Sequence, residues 1–253
     1  MRLSAQSYGT GGTPLLIAHG LFGSGRNWGV IAKRLSDRGR VVAVDLRNHG
    51  ASGWTATHGY DDLAADLAET MAAEGGGLWD VLGHSMGGKA AMMLALTRPD
   101  LVRRLVIADI APMAYTHTQR HLIDAMRGVD LAAVTRRSEA DAQLARAVET
   151  PAVRAFLLQS LDVADGCWRL NLDLLDREMD RITGWPDPSG RFDGPALFLA
   201  GAASDYVPDG AEAGIRALFP AARIARIPGA GHWLHAEKPR EVERAVRDFL
   251  DAA

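Results

Sequence analysis

A serine sits at the centre of Gly83-His84-Ser85-Met86-Gly87-Gly88, after a short apolar run, Trp79 to Leu82, and before an almost wholly apolar one, Ala90 to Thr97. Strand, G-x-S-x-G turn and helix are the context of a nucleophile elbow. Its sharp turn strains the serine backbone and exposes the hydroxyl, and small neighbours are needed to avoid collision. Because the helix begins at the turn, its unpaired N–H groups and positive dipole end face any oxyanion formed on a substrate that Ser85 attacks. A second donor is expected from His19-Gly20-Leu21-Phe22-Gly23-Ser24. There Gly20 lets the chain bend so that the Leu21 N–H joins that of Met86 in an oxyanion hole.

A serine hydroxyl is a weak nucleophile until a base takes its proton. Of the eight histidines, His232 in Gly229-Ala230-Gly231-His232-Trp233 follows the last apolar run and precedes the last helical segment, flanked by glycines that let the loop turn inward. It is the expected base. His235 is assigned to packing or solvent, His84 points away from its neighbour, and His58, His117 and His121 belong to no constellation and default to the surface. Two aspartates can orient His232. Asp109 ends the run before Ile110-Ala111-Pro112, and Asp205 lies in Gly201-Ala202-Ala203-Ser204-Asp205-Tyr206-Val207-Pro208. Their plain structural roles are a helix cap and an Asx turn.

The elements that position these residues alternate. Strand-like runs lie at Pro14 to Ala18, Val41 to Val44, Asp80 to Leu82, Leu101 to Ala108, Pro195 to Ala200 and Arg223 to Ile227. Helix-length segments lie at Asn27 to Leu35, Asp61 to Ala73, Met86 to Thr97, Ala211 to Phe219 and Arg240 to Leu250. This is the pattern of a mostly parallel sheet flanked by helices. The loops carrying His19-Gly20, Asp45, Ser85, Asp109, Ser204-Asp205 and His232 all follow strands, so all lie along the carboxyl edge, where such sheets bind ligands. Alternation stops between Met113 and Pro188, where no strand is evident. Helices are predicted over Thr118 to Arg127, Glu139 to Ala147, Pro151 to Leu161 and Trp168 to Met179. The division expected is a core of residues 1–112 and 189–253, with 113–188 inserted as a helical lid over the carboxyl edge. Its Met113, Tyr115, Phe156, Leu157, Trp168 and Leu172, with Phe22 and Trp233 of the core, are the candidates to line a substrate pocket, although helical spacing favours ordinary core packing for the lid residues.

Composition narrows the function further. The 253 residues carry a formal charge of −3 with 23% charged residues, so no basic surplus exists to neutralise a nucleic acid backbone. No run is long enough to span a bilayer and the first residues lack a secretory apolar core, which points to the cytoplasm. The single cysteine, Cys167, excludes an internal disulfide and is assigned to packing. No Cys/His cluster suggests a metal. Neither G-x-G-x-x-G nor a Walker lysine opens the first helix, so that loop is not a phosphate cradle.

Taken together, His19 to Ser24, Asp45-Leu46-Arg47-Asn48-His49-Gly50-Ala51-Ser52, the Ser85 elbow and Gly229-Ala230-Gly231-His232-Trp233-Leu234-His235-Ala236-Glu237-Lys238-Pro239 resemble the α/β-hydrolase fold superfamily over nearly the whole chain. The R-N-H-G and D-I-A-P stretches resemble its YbfF-type esterase and ABHD-type hydrolase family. The resemblance implies an α/β-hydrolase fold with a helical lid, chain order nucleophile, acid, histidine, and hydrolysis of a small-molecule carboxylic ester or acyl thioester without a cofactor. It also bears on the acid. The usual pattern places an aspartate where this chain has Ser204, and Asp205 comes one residue late, whereas some members carry the acid where Asp109 stands; Asp109 is therefore preferred, with Ser204 an accessory partner of His232. Asp45, Arg47, Asn48 and His49 read as loop braces. The same scaffold also serves cofactor-free perhydrolases, carbon–carbon bond hydrolases and, outside catalysis, small-molecule receptors.

Overall fold

The runs of branched and apolar residues form one sheet, with helices on both faces. In the computed structural model, which describes residues 1–252, the first part of the chain folds as β1 (Ala5–Tyr8), β2 (Leu15–Ala18), α1 (Gly29–Leu35), β3 (Val41–Val44), α2 (Tyr60–Ala73), β4 (Trp79–His84), α3 (Met86–Thr97) and β5 (Val102–Ala108). There follow α4 (Arg120–Arg127), α5 (Arg137–Leu144), α6 (Pro151–Leu157), the short strands β6 (Leu161–Asp162) and β7 (Cys167–Trp168), α7 (Leu172–Arg177) and α8 (Met179–Thr183). The chain then completes β8 (Ala196–Gly201), α9 (Glu212–Leu218), β9 (Ala222–Ile227), α10 (Leu234–Glu237) and α11 (Pro239–Asp251).

The sheet has seven strands in the order β1-β3-β2-β4-β5-β8-β9. All neighbours are parallel except β1, which pairs antiparallel with β3. β2, β3, β4 and β8 are buried at every position, which is why they read as continuous apolar runs rather than alternating ones. From β2 the chain steps outward to β3 and returns to place β4 on the other side of β2. That change of direction opens a crevice between the carboxyl ends of β2 and β4, from which His19-Gly20 and Ser85 emerge.

Helices α1 and α11 pack one face around Trp28, Ile31, Leu35, Val242 and Val246; α2 and α3 pack the other with Leu63, Leu67, Ala91 and Leu94. Strand β1 has no apolar run to announce it. Its Ala5, Gln6 and Ser7 are exposed, and it is held through the register Ala5↔Val44 to Tyr8↔Val41.

The segment between β5 and β8 differs from the expectation in detail. The helix predicted to Leu161 ends at Leu157, and Trp168 lies in a strand rather than opening a helix. Here β6 and β7 form a two-stranded hairpin, too short to leave a periodic trace. Asp162 turns it by accepting the N–H groups of Ala164 (3.0 Å) and Asp165 (3.1 Å). Cys167 is exposed on this hairpin rather than packed. The segment docks on the core through loops. An isolated bridge joins His49 to Leu170, Gly50 N–H donates to Arg169 O (2.8 Å), and Asn171 N–H donates to Asn48 O (3.0 Å). Among the described residues, no helix is long and apolar enough to cross a membrane.

Candidate active site

Ser85 joins β4 to α3 with φ +52° and ψ −120°. The glycines around it are obligatory. A Cβ on Gly83 would meet the Gly87 carbonyl carbon at 2.7 Å, one on Gly87 would meet Ala18 O at 2.6 Å, and one on Gly20 would meet the Ser85 Cβ at 3.1 Å. The turn is thus wedged between β2 and the first turn of α3, whose leading N–H groups have no intrahelical acceptor.

His232 follows β9 and turns back over the sheet edge. Its Nε2 lies 3.1 Å from Ser85 Oγ, and its Nδ1 lies 2.8 Å from Asp109 Oδ2. A carboxylate only accepts, so Nδ1 carries the proton and the Nε2 lone pair faces the serine hydroxyl. Asp109, at the end of β5, is fully buried and adopts φ +51°. That left-handed backbone is uncommon outside glycine, though aspartate tolerates it better than most residues. Its Oδ1 accepts the Gly201 N–H from β8 (2.7 Å), and its Oδ2 accepts the Ser204 hydroxyl as well as His232.

Asp205 stands apart from this group. It is exposed in the loop after β8, because the shift by one residue brings Ser204 inward and turns the carboxylate out. Ser204 itself bonds Asp109, not His232.

The ring of His232 is held from several sides. Tyr206 stacks on it with centroids 3.7 Å apart and planes 17° from parallel, and the buried His84 donates from Nε2 to His232 O (2.9 Å). Burial, reinforced by His235 and His232, holds the His84 pKa well below the usual histidine value. His235 is buried too, stacked on Trp28 with centroids 4.4 Å apart, and burial lowers its pKa to about 3.

Two further neutral histidines shape the loop after β2. His19 donates from Nδ1 to Gly20 O (2.7 Å) and accepts the Leu46 N–H at Nε2 (2.9 Å). His49 donates to Arg47 O (2.9 Å) and accepts the Phe22 N–H (3.3 Å), fixing Phe22 at φ +63°. Burial lowers their pKa values to about 4 and about 3. Ser160, from the stretch between β5 and β8, donates to Phe22 O (2.8 Å). Arg47 is tied to the buried Asp66 by bonds of 2.6 and 2.9 Å.

These groups open into a cavity of about 310 Å³. Ser85, His232, Leu21, Phe22, Met86, Tyr115, Phe156 and Trp233 all line it. Four other candidates do not. Trp168 is buried in β7 and donates its indole N–H to Met126 O (2.9 Å), Met113 is exposed on the outside, and Leu157 lies in the core, where the helical spacing of α6 serves packing. Leu172 packs at the edge of the core. Sequence reasoning also put His58 and His117 at the surface. His58 is instead buried, with Nδ1 3.2 Å from Asn48 Nδ2, whereas His117 is exposed as expected and also lines the cavity against Tyr206.

Residues 13–239 match the family model described as alpha/beta hydrolase fold. The chain is 41% identical over 246 residues to the sn-1-specific diacylglycerol lipase ABHD11 of Mus musculus, covering 93% of this chain and 80% of that protein. It is 39% identical over 241 residues to Esterase YbfF of Escherichia coli (strain K12), covering 94% and 93%. Among solved structures, one titled marine microorganism esterase superposes with a TM-score of 0.94 at 37% identity, covering 98% of this chain and 99% of that one.

Proposed function

The chain belongs to the α/β-hydrolase fold family, and from that premise we propose that it is a serine hydrolase that cleaves carboxylic esters or acyl thioesters through an acyl-enzyme on Ser85. The observation that carries this reading is the continuous relay at the cavity wall, Ser85 Oγ to His232 Nε2 at 3.1 Å and His232 Nδ1 to Asp109 Oδ2 at 2.8 Å. The lipase and esterase names of the similar proteins point to the same chemistry.

In the first step His232 Nε2 takes the hydroxyl proton as Ser85 Oγ bonds to the substrate carbonyl carbon. The carbonyl oxygen becomes an oxyanion facing the N–H groups of Leu21 and Met86. The imidazolium, steadied by Asp109, then gives that proton to the departing alcohol or thiol as the carbon–leaving-group bond breaks. Water repeats the sequence on the acyl-enzyme, releasing the acid and restoring Ser85. In this reading residues 1–112 and 189–253 supply the machinery, and 113–188 act as a lid that contributes Tyr115 and Phe156 to the substrate wall.

The test is a panel of p-nitrophenyl acyl esters and acyl-CoA thioesters assayed with the parent and Ser85→Ala. A loss of about 10⁴-fold or more in kcat is expected for the variant, with a residue of about 10³-fold over water left by the oxyanion hole and binding. Undiminished turnover by Ser85→Ala would falsify the reading.

A further inference from the structure

Lys89 is one helical turn beyond the nucleophile, its backbone N–H bonded to Ser85 O (3.0 Å). It is only 1% exposed, although lysines are almost never fully buried without a partner of opposite charge. Its Nζ donates to the carbonyls of Thr183 (2.9 Å) and Gly184 (2.6 Å) at the end of α8. The ammonium also lies 4.7 Å from the Tyr115 ring centroid and 5.7 Å from that of Tyr60.

No carboxylate forms an ion pair with Lys89 among the described residues. The titratable groups facing it are Tyr60 from α2 and Tyr115 and His117 from the loop after β5. Burial raises both phenols and lowers the imidazole, so all three are neutral at pH 7. Burial alone pulls the lysine down to about 7, as expected for a cation without compensation.

Bracing α8 accounts for two of the three ammonium protons. It does not account for the place of the group. Lys89 and the groups gathered about it, Tyr60, Tyr115 with its neighbour His117, and Thr183, all line the cavity onto which Ser85 opens. A charge buried there is relieved by an anion that arrives with the substrate.

We propose that Lys89 is the anion-binding end of the substrate pocket, and that the preferred substrates are esters or thioesters carrying a second, ionised carboxylate that docks on its ammonium while the scissile carbonyl sits at Ser85. This rests on the Ser85 hydrolase reading. The carboxylate is borne either by the acyl chain or by the leaving group, and no bond to Lys89 forms or breaks.

The experiment compares kcat/KM for matched pairs of substrates. One arm sets the monoethyl esters of glutarate and adipate against ethyl pentanoate and ethyl hexanoate. The other sets O-acetyl glycolate against propyl acetate. The parent is expected to favour the charged member in at least one arm by about tenfold or more, chiefly through KM. Lys89→Met should lower kcat/KM on that charged ester at least tenfold further than on its neutral partner, whereas loss of a mere brace lowers both alike. Lys89→Gln, which keeps a donor for the two carbonyls, carries the comparison if the methionine variant fails to fold.

A parent indifferent to charge in both arms, or a preference that survives in the variants, overturns the proposal. Turnover of the neutral esters and its loss in Ser85→Ala are read in the same assay, so failure of the hydrolase reading registers separately.

Discussion

Replacing Asp109 by Asn changes one oxygen of the buried carboxylate to NH₂ and leaves its size almost unchanged. Three donors converge on that group, the Gly201 N–H at Oδ1 and the Ser204 hydroxyl and His232 Nδ1–H at Oδ2. The introduced amide has one acceptor. If its oxygen stays with Gly201, its NH₂ faces His232, whose Nδ1–H must give way. The ring is then driven to the Nε2–H tautomer, and no lone pair is left for the Ser85 hydroxyl. If the amide flips, its NH₂ opposes the Gly201 N–H, and a buried backbone donor is orphaned at about 1–3 kcal/mol. The first arrangement is favoured, so the loss falls on rate rather than on folding. A decrease of about 10⁴-fold in kcat is expected, the magnitude associated with a triad histidine held in the wrong tautomer. The assay is p-nitrophenyl butyrate hydrolysis at pH 8, beside thermal melts of parent, Asp109→Asn and Asp205→Asn. Asp205 is exposed, so its replacement should leave kcat/KM within about twofold, as for an ordinary surface site. If Asp109→Asn keeps more than a tenth of parental kcat, or Asp205→Asn collapses it, the assignment of the acid is wrong.

Two other perturbations address the scaffold. Buried His19, His49 and His235 have pKa values lowered to about 4, 3 and 3, so between those values and about 6.5 the unfolded chain binds protons that the native state refuses. Their stabilisation is complete above about pH 6.5 and is lost as pH falls, each contributing up to about 1.4 kcal/mol per pH unit. Thermal melts should show Tm falling steeply from pH 6.5 to 4.5, and a flat profile there would contradict neutral burial of the three rings. Gly87→Ala forces a Cβ to 2.6 Å from Ala18 O and onto His19 O. Overpacking of that kind costs about 2–3 kcal/mol and lowers Tm by roughly 5–10 °C, and a melt within about 1 °C of the parent would show that the elbow can relax.

The elbow was legible because its constraint is local: a Cβ at Gly83 or Gly87 would clash with atoms only a few residues away or on the adjoining strand, so the pattern is written in a hexapeptide. The strands of the parallel sheet were legible because burial on both faces leaves an unbroken apolar run. The aspartate partner of His232 was less so. Asp109 and Asp205 both follow strands, and what separates them is that β5 lies between β4 and β8, which places Asp109 where Gly201, Ser204 and His232 converge. Nothing near either aspartate in sequence encodes that.

The histidines carry the same lesson further. His58 reads as a surface residue, yet it is buried against Asn48, whose main-chain carbonyl accepts the N–H of Asn171, more than a hundred residues on, and the loop brace His49 is bridged to Leu170 in the same place. Lys89 was different, since its signal lay in plain view. From Met86 to Leu96 every residue is buried, and Lys89 is the one ionisable group among them. A lone cation in an otherwise apolar or glycine helix, four residues past Ser85, cannot snorkel to water from the middle of the fold. The carbonyls of Thr183 and Gly184 take two of its ammonium protons, and the proposed substrate carboxylate takes the third. Apolar periodicity hides Lys89, because an apolar segment with one exception still reads as apolar, and the exception is the only side chain of that stretch able to carry charge.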